Sequence, residues 1–306
     1  MTRARKLCTA LICSGLIGSM AACKVSDDAI AASQQMTSTA NALHDYYSAL
    51  DAGLANTISL YELDGAISGI PFGDDDRKLS ESTRDELGKR KDLANGLASL
   101  ASAMSTLSNS TAASDVQTSA TQLGNELIAV QALPGDSPVP DAVGKAGNFL
   151  LQMVKQHKEK EAARAIDETL RAVGDLFEKE KPTYDSIART HDREASQIAH
   201  DLLKSNGVDP TPMLAPALKP FDLTALPAST SMQVSLKALA LSRLQHATEE
   251  ATKKDESASV AMLASLREMS SRVHLVATEN PMSLRGAPFS LKLVEDWAQS
   301  WSASLI

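Results

Sequence analysis

The run Leu93, Leu97, Leu100, Met104 and Leu107 constrains the fold of this chain more than any other stretch. Its steps of four, three, four and three put all five side chains on one face of an α-helix, in the narrow seam by which one helix packs along another. A half-buried strand would alternate every second residue instead. The same rhythm recurs in Met36, Leu43, Tyr47, Leu50, Leu54, Ile58 and Tyr61, and again in Val116, Ala120, Leu123, Leu127 and Val130. Aromatic residues make up only 4% of the chain, a composition that favours helix over sheet.

Breaks between the stripes divide the chain. Gly65, Gly69 and Pro71 end the first long helix, the polar stretch from Gly73 to Arg77 turns the chain, and a second helix is expected to start near Glu81. Ser114 with Gln117 has capping-box spacing for a third, which Pro134, Gly135, Pro138 and Pro140 close. From Asp141 one element is expected to run past the charged segment 155–164 to Ile166, Leu170, Val173 and Phe177, with Pro182 kinking or dividing it, and to end at Asn206-Gly207. Five of the twelve prolines follow between 210 and 227, interspersed with Leu214, Leu218, Phe221 and Leu226. This stretch, 208–230, is too apolar for a linker and is read as a strap crossing the bundle. A long helix from about Ser231 to Ala277, broken at Lys253-Lys254-Asp255-Glu256, carries apolar faces that include Leu239, Val260, Leu263 and Leu266. A last helix carries Val294, Trp297, Trp301 and Leu305. The expected fold is all-α: an elongated antiparallel bundle of long helices, one domain spanning 33–306, with a proline-rich crossover strap.

The N-terminus belongs to targeting. Arg3, Arg5 and Lys6 precede an apolar segment from Leu7 to Leu16, shorter than the roughly 20 residues that a spanning helix needs. The segment closes on Met20-Ala21-Ala22-Cys23, which resembles the lipobox of bacterial lipoproteins, with methionine where leucine is usual. The resemblance covers residues 1–23. It implies cleavage after Ala22, lipidation of Cys23, residues 23–32 as lipidated N-terminus and polar tether, and membrane attachment through the acyl chains. Two or more such chains hold a protein stably, where one binds reversibly. Lys24 follows the cysteine, and the absence of aspartate there favours the outer over the inner membrane in lipoproteins of this kind. Removing residues 1–22 takes away three cations and no acid, so 284 residues remain and the net charge moves from −8 to −11. Such a surface repels phosphate backbones and argues against nucleic acid as a partner. Cys8 and Cys13 leave with the signal, so Cys23 is the only cysteine left and no disulfide can form within the chain.

No phosphate loop, dinucleotide turn, nucleophile elbow, zinc helix or haem motif is present in the sequence. His191 and Glu194, three apart, with His200 and Asp201 beyond, are the candidate metal ligands. His157 with Glu161 is read as a solvated helix face, and Asp74 to Asp76 as a solvated turn rather than a calcium site. Trp297 and Trp301 are candidate ligand-binding residues, weighed against a place in the core. No cofactor is expected. The expected function is that of a non-catalytic, membrane-anchored envelope lipoprotein that binds another envelope protein as scaffold or adaptor. The alternative is a helical module that senses a small molecule or metal.

Overall fold

The computed structural model describes residues 4–105, 112–134, 138–156, 159–205, 209, 214, 230–277 and 291–303. Seven helices occupy them: α1 (Ala4–Ser68), α2 (Asp74–Ser105), α3 (Ala112–Ala129), α4 (Asp141–Gln156), α5 (Glu159–Lys204), α6 (Thr230–Ala277) and α7 (Lys292–Ala303). No strand occurs among the described residues. The fold is an all-α antiparallel bundle. At about 1.5 Å per residue, the 48 residues of α6 span roughly 72 Å.

Cross-helix pairs give the registers. Glu62 meets Arg77 at 2.8 Å, and Asp51 takes Arg84 and Lys91 at 2.7 and 2.8 Å, so α1 and α2 run antiparallel from a tight turn. That turn is made by Gly69, whose φ of 76° lies in the left-handed region and whose N–H donates to the Gly65 carbonyl at 2.9 Å. Between α5 and α6, Thr248 meets Ser196 at 3.0 Å, Arg267 meets Glu178 at 2.6 Å and His274 meets Asp167 at 2.9 Å, again antiparallel. α3 and α4 approach so closely that a Cβ on Gly147 would lie 2.8 Å from the Gly124 carbonyl oxygen.

The core joins the seams of α2, α3 and α5 to α1. Leu93, Leu97 and Leu100 are fully buried with Leu123, Leu127, Leu170, Val173 and Phe177. α1 packs against α2, α5, α6 and α7, which is why the consecutive residues Tyr46 and Tyr47 are both buried. A helix touched from one side would bury only one of them.

Several expectations are corrected. α2 starts at Asp74, seven residues before Glu81, because Asp74, Asp75 and Asp76 form its first turn, where carboxylates favour the exposed N–H groups. The Gly73 carbonyl accepts the first helical bond, from the Arg77 N–H at 3.1 Å. α3 begins at Ala112, so Ser114 lies inside the helix rather than before it. The single element expected from Asp141 onward is two helices, α4 and α5, packed on each other. Pro182 does not divide α5; Glu180 and Tyr184, on either side of it, are locked into a buried network that holds the helix through the missing backbone bond. α6 is unbroken at 253–256, and Val260 and Leu239 stand exposed, because the buried stripe is Ala258, Met262, Leu266, Met269 and Val273. Most of the strap 208–230, the cap Asn206-Gly207, His157, Leu107 and Leu305 lie outside the described residues.

Candidate functional site

Asp255 is the acid that the buried stripe of α6 cannot explain as packing. It lies three residues before Ala258 and seven before Met262, on the stripe itself, and is 3% exposed, while Lys253, Lys254 and Glu256 face solvent. A buried carboxyl has to find hydrogen-bond donors or stay neutral. Asp255 does some of both. Its Oδ1 accepts the indole N–H of Trp297 at 2.7 Å and that of Trp301 at 3.3 Å, so two side chains of α7 converge on one oxygen.

Its Oδ2 receives no donor among the described residues, and neither does Oδ2 of Asp192 on α5. The two carboxyls lie within hydrogen-bonding reach of each other. Both are acceptors when ionised, so they bond only by holding a proton between them. Burial pushes Asp255 up to about 7; the Trp297 N–H opposes the shift, and the negative charge of Asp192 adds to it. Burial and the facing carboxylate thus favour the protonated form of Asp255 well above the usual carboxylate range.

Aromatic rings wall the acid pair. Trp297 stacks on Tyr46 with centroids 4.8 Å apart, Trp301 lies 5.3 Å from Trp297, and the His191 ring packs on Trp301 at 4.9 Å. Tyr46 continues into Phe177 and Tyr184. Burial raises the Tyr46 hydroxyl well above its ordinary range. α7 sits against α1 at Gly53, where a Cβ would lie 1.6 Å from the Trp301 ring. Beside the indoles a cavity of about 220 Å³ opens between α6 and α7, lined by Glu250, Lys254, Asp255, Trp297, Ser300 and Trp301.

The candidates read from sequence are thus partly united. His191 and Trp301, proposed for different roles, touch. Trp297 and Trp301 belong to the core and also border the cavity. Glu194 pairs instead with its neighbour Arg193 at 2.9 Å, and His200 lies against Asp201 at 3.1 Å. Among the described residues no three His, Cys, Asp or Glu side chains come together as a metal would require. Sequence reasoning missed Asp255 and Asp192. The first was legible as an acid in phase with the apolar stripe, but the charged neighbours on both sides disguised it.

A second buried polar cluster ties α2 to α5. Arg90, fully buried, donates from Nε to Glu180 at 2.8 Å, from Nη1 to the Glu86 carbonyl at 2.8 Å and from Nη2 to the Gln131 carbonyl at 2.8 Å. Its Nη2 also bonds Glu180, and Tyr184 donates to the same carboxylate. Every charge in this group has a partner, which marks it as a structural clamp.

No protein-family model, curated protein or solved structure matches the chain.

Proposed function

We propose that the protein is a cell-envelope lipoprotein, lipid-anchored through Cys23 and preferentially at the outer membrane, that acts as a non-catalytic helical binding and scaffolding protein for another envelope protein. The observation that carries this reading is the continuity of α1. The helix that contains Met20-Ala21-Ala22-Cys23 runs without interruption into the centre of the bundle. Ser33 and Met36, both buried, follow the cysteine by ten and thirteen residues. At about 1.5 Å per residue, the anchor then stands roughly 15–20 Å from the packed core. No helix among the described residues is long and apolar enough to cross a membrane, so acyl chains are the attachment that this reading uses.

The test is the intact mass of the protein extracted from membranes, beside a Cys23→Ala variant. A chain beginning at Cys23 with added acyl mass, shifted to the soluble fraction in the variant, is the expected result. An unmodified soluble wild-type chain would overturn the reading.

A second reading, a sensory module for a small molecule or metal, is favoured by the cavity that borders Asp255, Trp297 and Trp301. A thermal-shift screen with tryptophan fluorescence, combined with elemental analysis, tests it. Saturable quenching by a ligand supports it, and a metal-free protein indifferent to every compound counts against it.

A further inference from the structure

The α1–α2 hairpin ends in a surface that buries no residue, although Arg193 of α5 reaches its Tyr61. Between Thr57 and Glu86, both buried, no residue of 58–85 is buried, whereas every other long stretch of α1 and α2 with described side chains contributes to the core. Four large apolar side chains stand in solvent there: Leu63 is 45% exposed, Ile67 53%, Ile70 72% and Leu79 54%. Leu60, Leu63 and Ile67, spaced by three and four, lie along one face of α1. Isolated exposed apolar residues are ordinary, but a group confined to one hairpin tip marks an interaction surface.

The tip is also built rather than frayed. Tyr61 and Phe72 stack with centroids 5.2 Å apart and planes 7° from parallel. Arg77 lies over the Phe72 ring at 5.8 Å while pairing with Glu62 at 2.8 Å. These contacts tie the two helices together across the turn, so the backbone that carries the apolar residues is already in place for docking.

Charge selects the occupant. Residues 58–85 hold seven carboxylates (Glu62, Asp64, Asp74, Asp75, Asp76, Glu81, Asp85) against three cations (Arg77, Lys78, Arg84), and Arg193 of α5, which reaches Tyr61, brings Glu194 with it as its ion-pair partner, so the excess of acid stands. Arg84 is engaged with Asp51, outside the tip. A second copy would bring the same acidic tip and be repelled. Anionic lipid would be repelled as well. A surface both apolar and acidic fits a basic, amphipathic segment, with leucine-like side chains against Ile67 and Ile70 and Lys or Arg against the flanking acids.

Position agrees with that role. Cys23 and Ser68 lie on the same helix, 45 residues apart. At about 1.5 Å per residue the tip stands nearly 70 Å from the lipidated residue.

We propose that the α1–α2 hairpin tip is the docking surface for a basic, amphipathic helical segment of a partner protein. This rests on the scaffold reading and names the partner's chemistry. The closing experiment uses the unlipidated mature chain carrying Cys23→Ala, so the state of the anchor does not enter its outcome. The probe is a synthetic amphipathic helix of Lys and Leu, with a Glu and Leu peptide of the same pattern as its counterpart. Binding is measured by calorimetry at low and physiological salt.

The expected result is saturable binding of the Lys/Leu peptide at least about tenfold tighter than of the Glu/Leu peptide, weakening with salt. The pair Ile67→Ser with Ile70→Ser, and the pair Asp64→Lys with Glu81→Lys, should each weaken it about tenfold, and Val260→Ser on α6 should leave it unchanged. All these positions are exposed, so circular dichroism should be identical across the set. Equal binding by every variant would overturn the proposal. So would self-association in sedimentation, or flotation with phosphatidylcholine vesicles, that Ile67→Ser with Ile70→Ser abolishes, since either outcome gives the surface a different occupant.

Discussion

At the scale of single residues, Asp255 makes the protein's stability depend on pH in an unusual direction. Its carboxyl has an ordinary value of 3.8 and is pushed up to about 7 in the fold. Between these values the folded protein binds a proton that the unfolded chain does not, so stability falls as pH rises through the window. Thermal unfolding should therefore show a lower Tm at pH 8 than at pH 5.5. Asp255→Asn should flatten that dependence, because an amide keeps an acceptor for the indoles and offers Asp192 a donor with no charge to ionise. A wild-type Tm that rises from pH 5.5 to 8 would contradict the assignment. Arg90 gives the opposite kind of test. Arg90→Ala strands the buried Glu180 carboxylate and should destabilise the protein by about 3–5 kcal/mol, whereas Arg90→Met with Glu180→Leu should recover much of the loss. Chemical denaturation of the three proteins distinguishes a clamp from a dispensable pair. The apolar seam that begins at Leu93 was legible beforehand, but that Arg90 would be buried beside it, and which acid would cross from another helix to meet it, was not. That choice depends on the register of α2 against α5, and the partners are 90 residues apart.

At the scale of elements, α7 is a short helix held by a few strong contacts. Two indoles reach one oxygen of α6, one stacks on Tyr46, and Trp301 fills the space that Gly53 leaves on α1. Gly53→Ala places a methyl group inside the Trp301 ring position and should lift α7 from its seat. The expected sign is a red-shifted tryptophan emission with about 1–3 kcal/mol of lost stability. Unchanged emission would mean that α7 does not depend on this contact. The docking of both tryptophans was foreseeable from their spacing of four, as was the helical state of every segment with a four-three stripe. Phase was harder to see. In α6 the visible hydrophobics Leu239 and Val260 pointed to the wrong face, since single apolar residues on a solvated face are common and small buried residues such as Ala258 are weak markers. Pro182 and the run 253–256 misled for a related reason: local helix-breaking tendencies are small beside the packing of a long amphipathic helix on its neighbours.

At the scale of the whole molecule, the described residues are a set of helices packed around α1, in a chain that is acidic overall. Its stability rests on packing along the seams, so circular dichroism should be dominated by helix and, for a chain beginning at Cys23, unaffected by reductant. The sequence alone determined the helical class, the end of the first long helix within 65–71, the small number of aromatic residues and the resemblance of its first 23 residues to a lipoprotein signal. Each of these depends on neighbours within a few turns or on composition, which the chain carries with it. Tertiary structure decided the rest: that Asp192 meets Asp255, that His191 meets Trp301, that Arg90 meets Glu180, and that residues 58–85 bury nothing. Each depends on the rotation and register of one helix against another, and many registers satisfy a four-three stripe equally well. Only the summed packing of the described helices selects the one that brings distant polar groups into contact and leaves the α1–α2 hairpin tip and most of the first half of α6 in solvent.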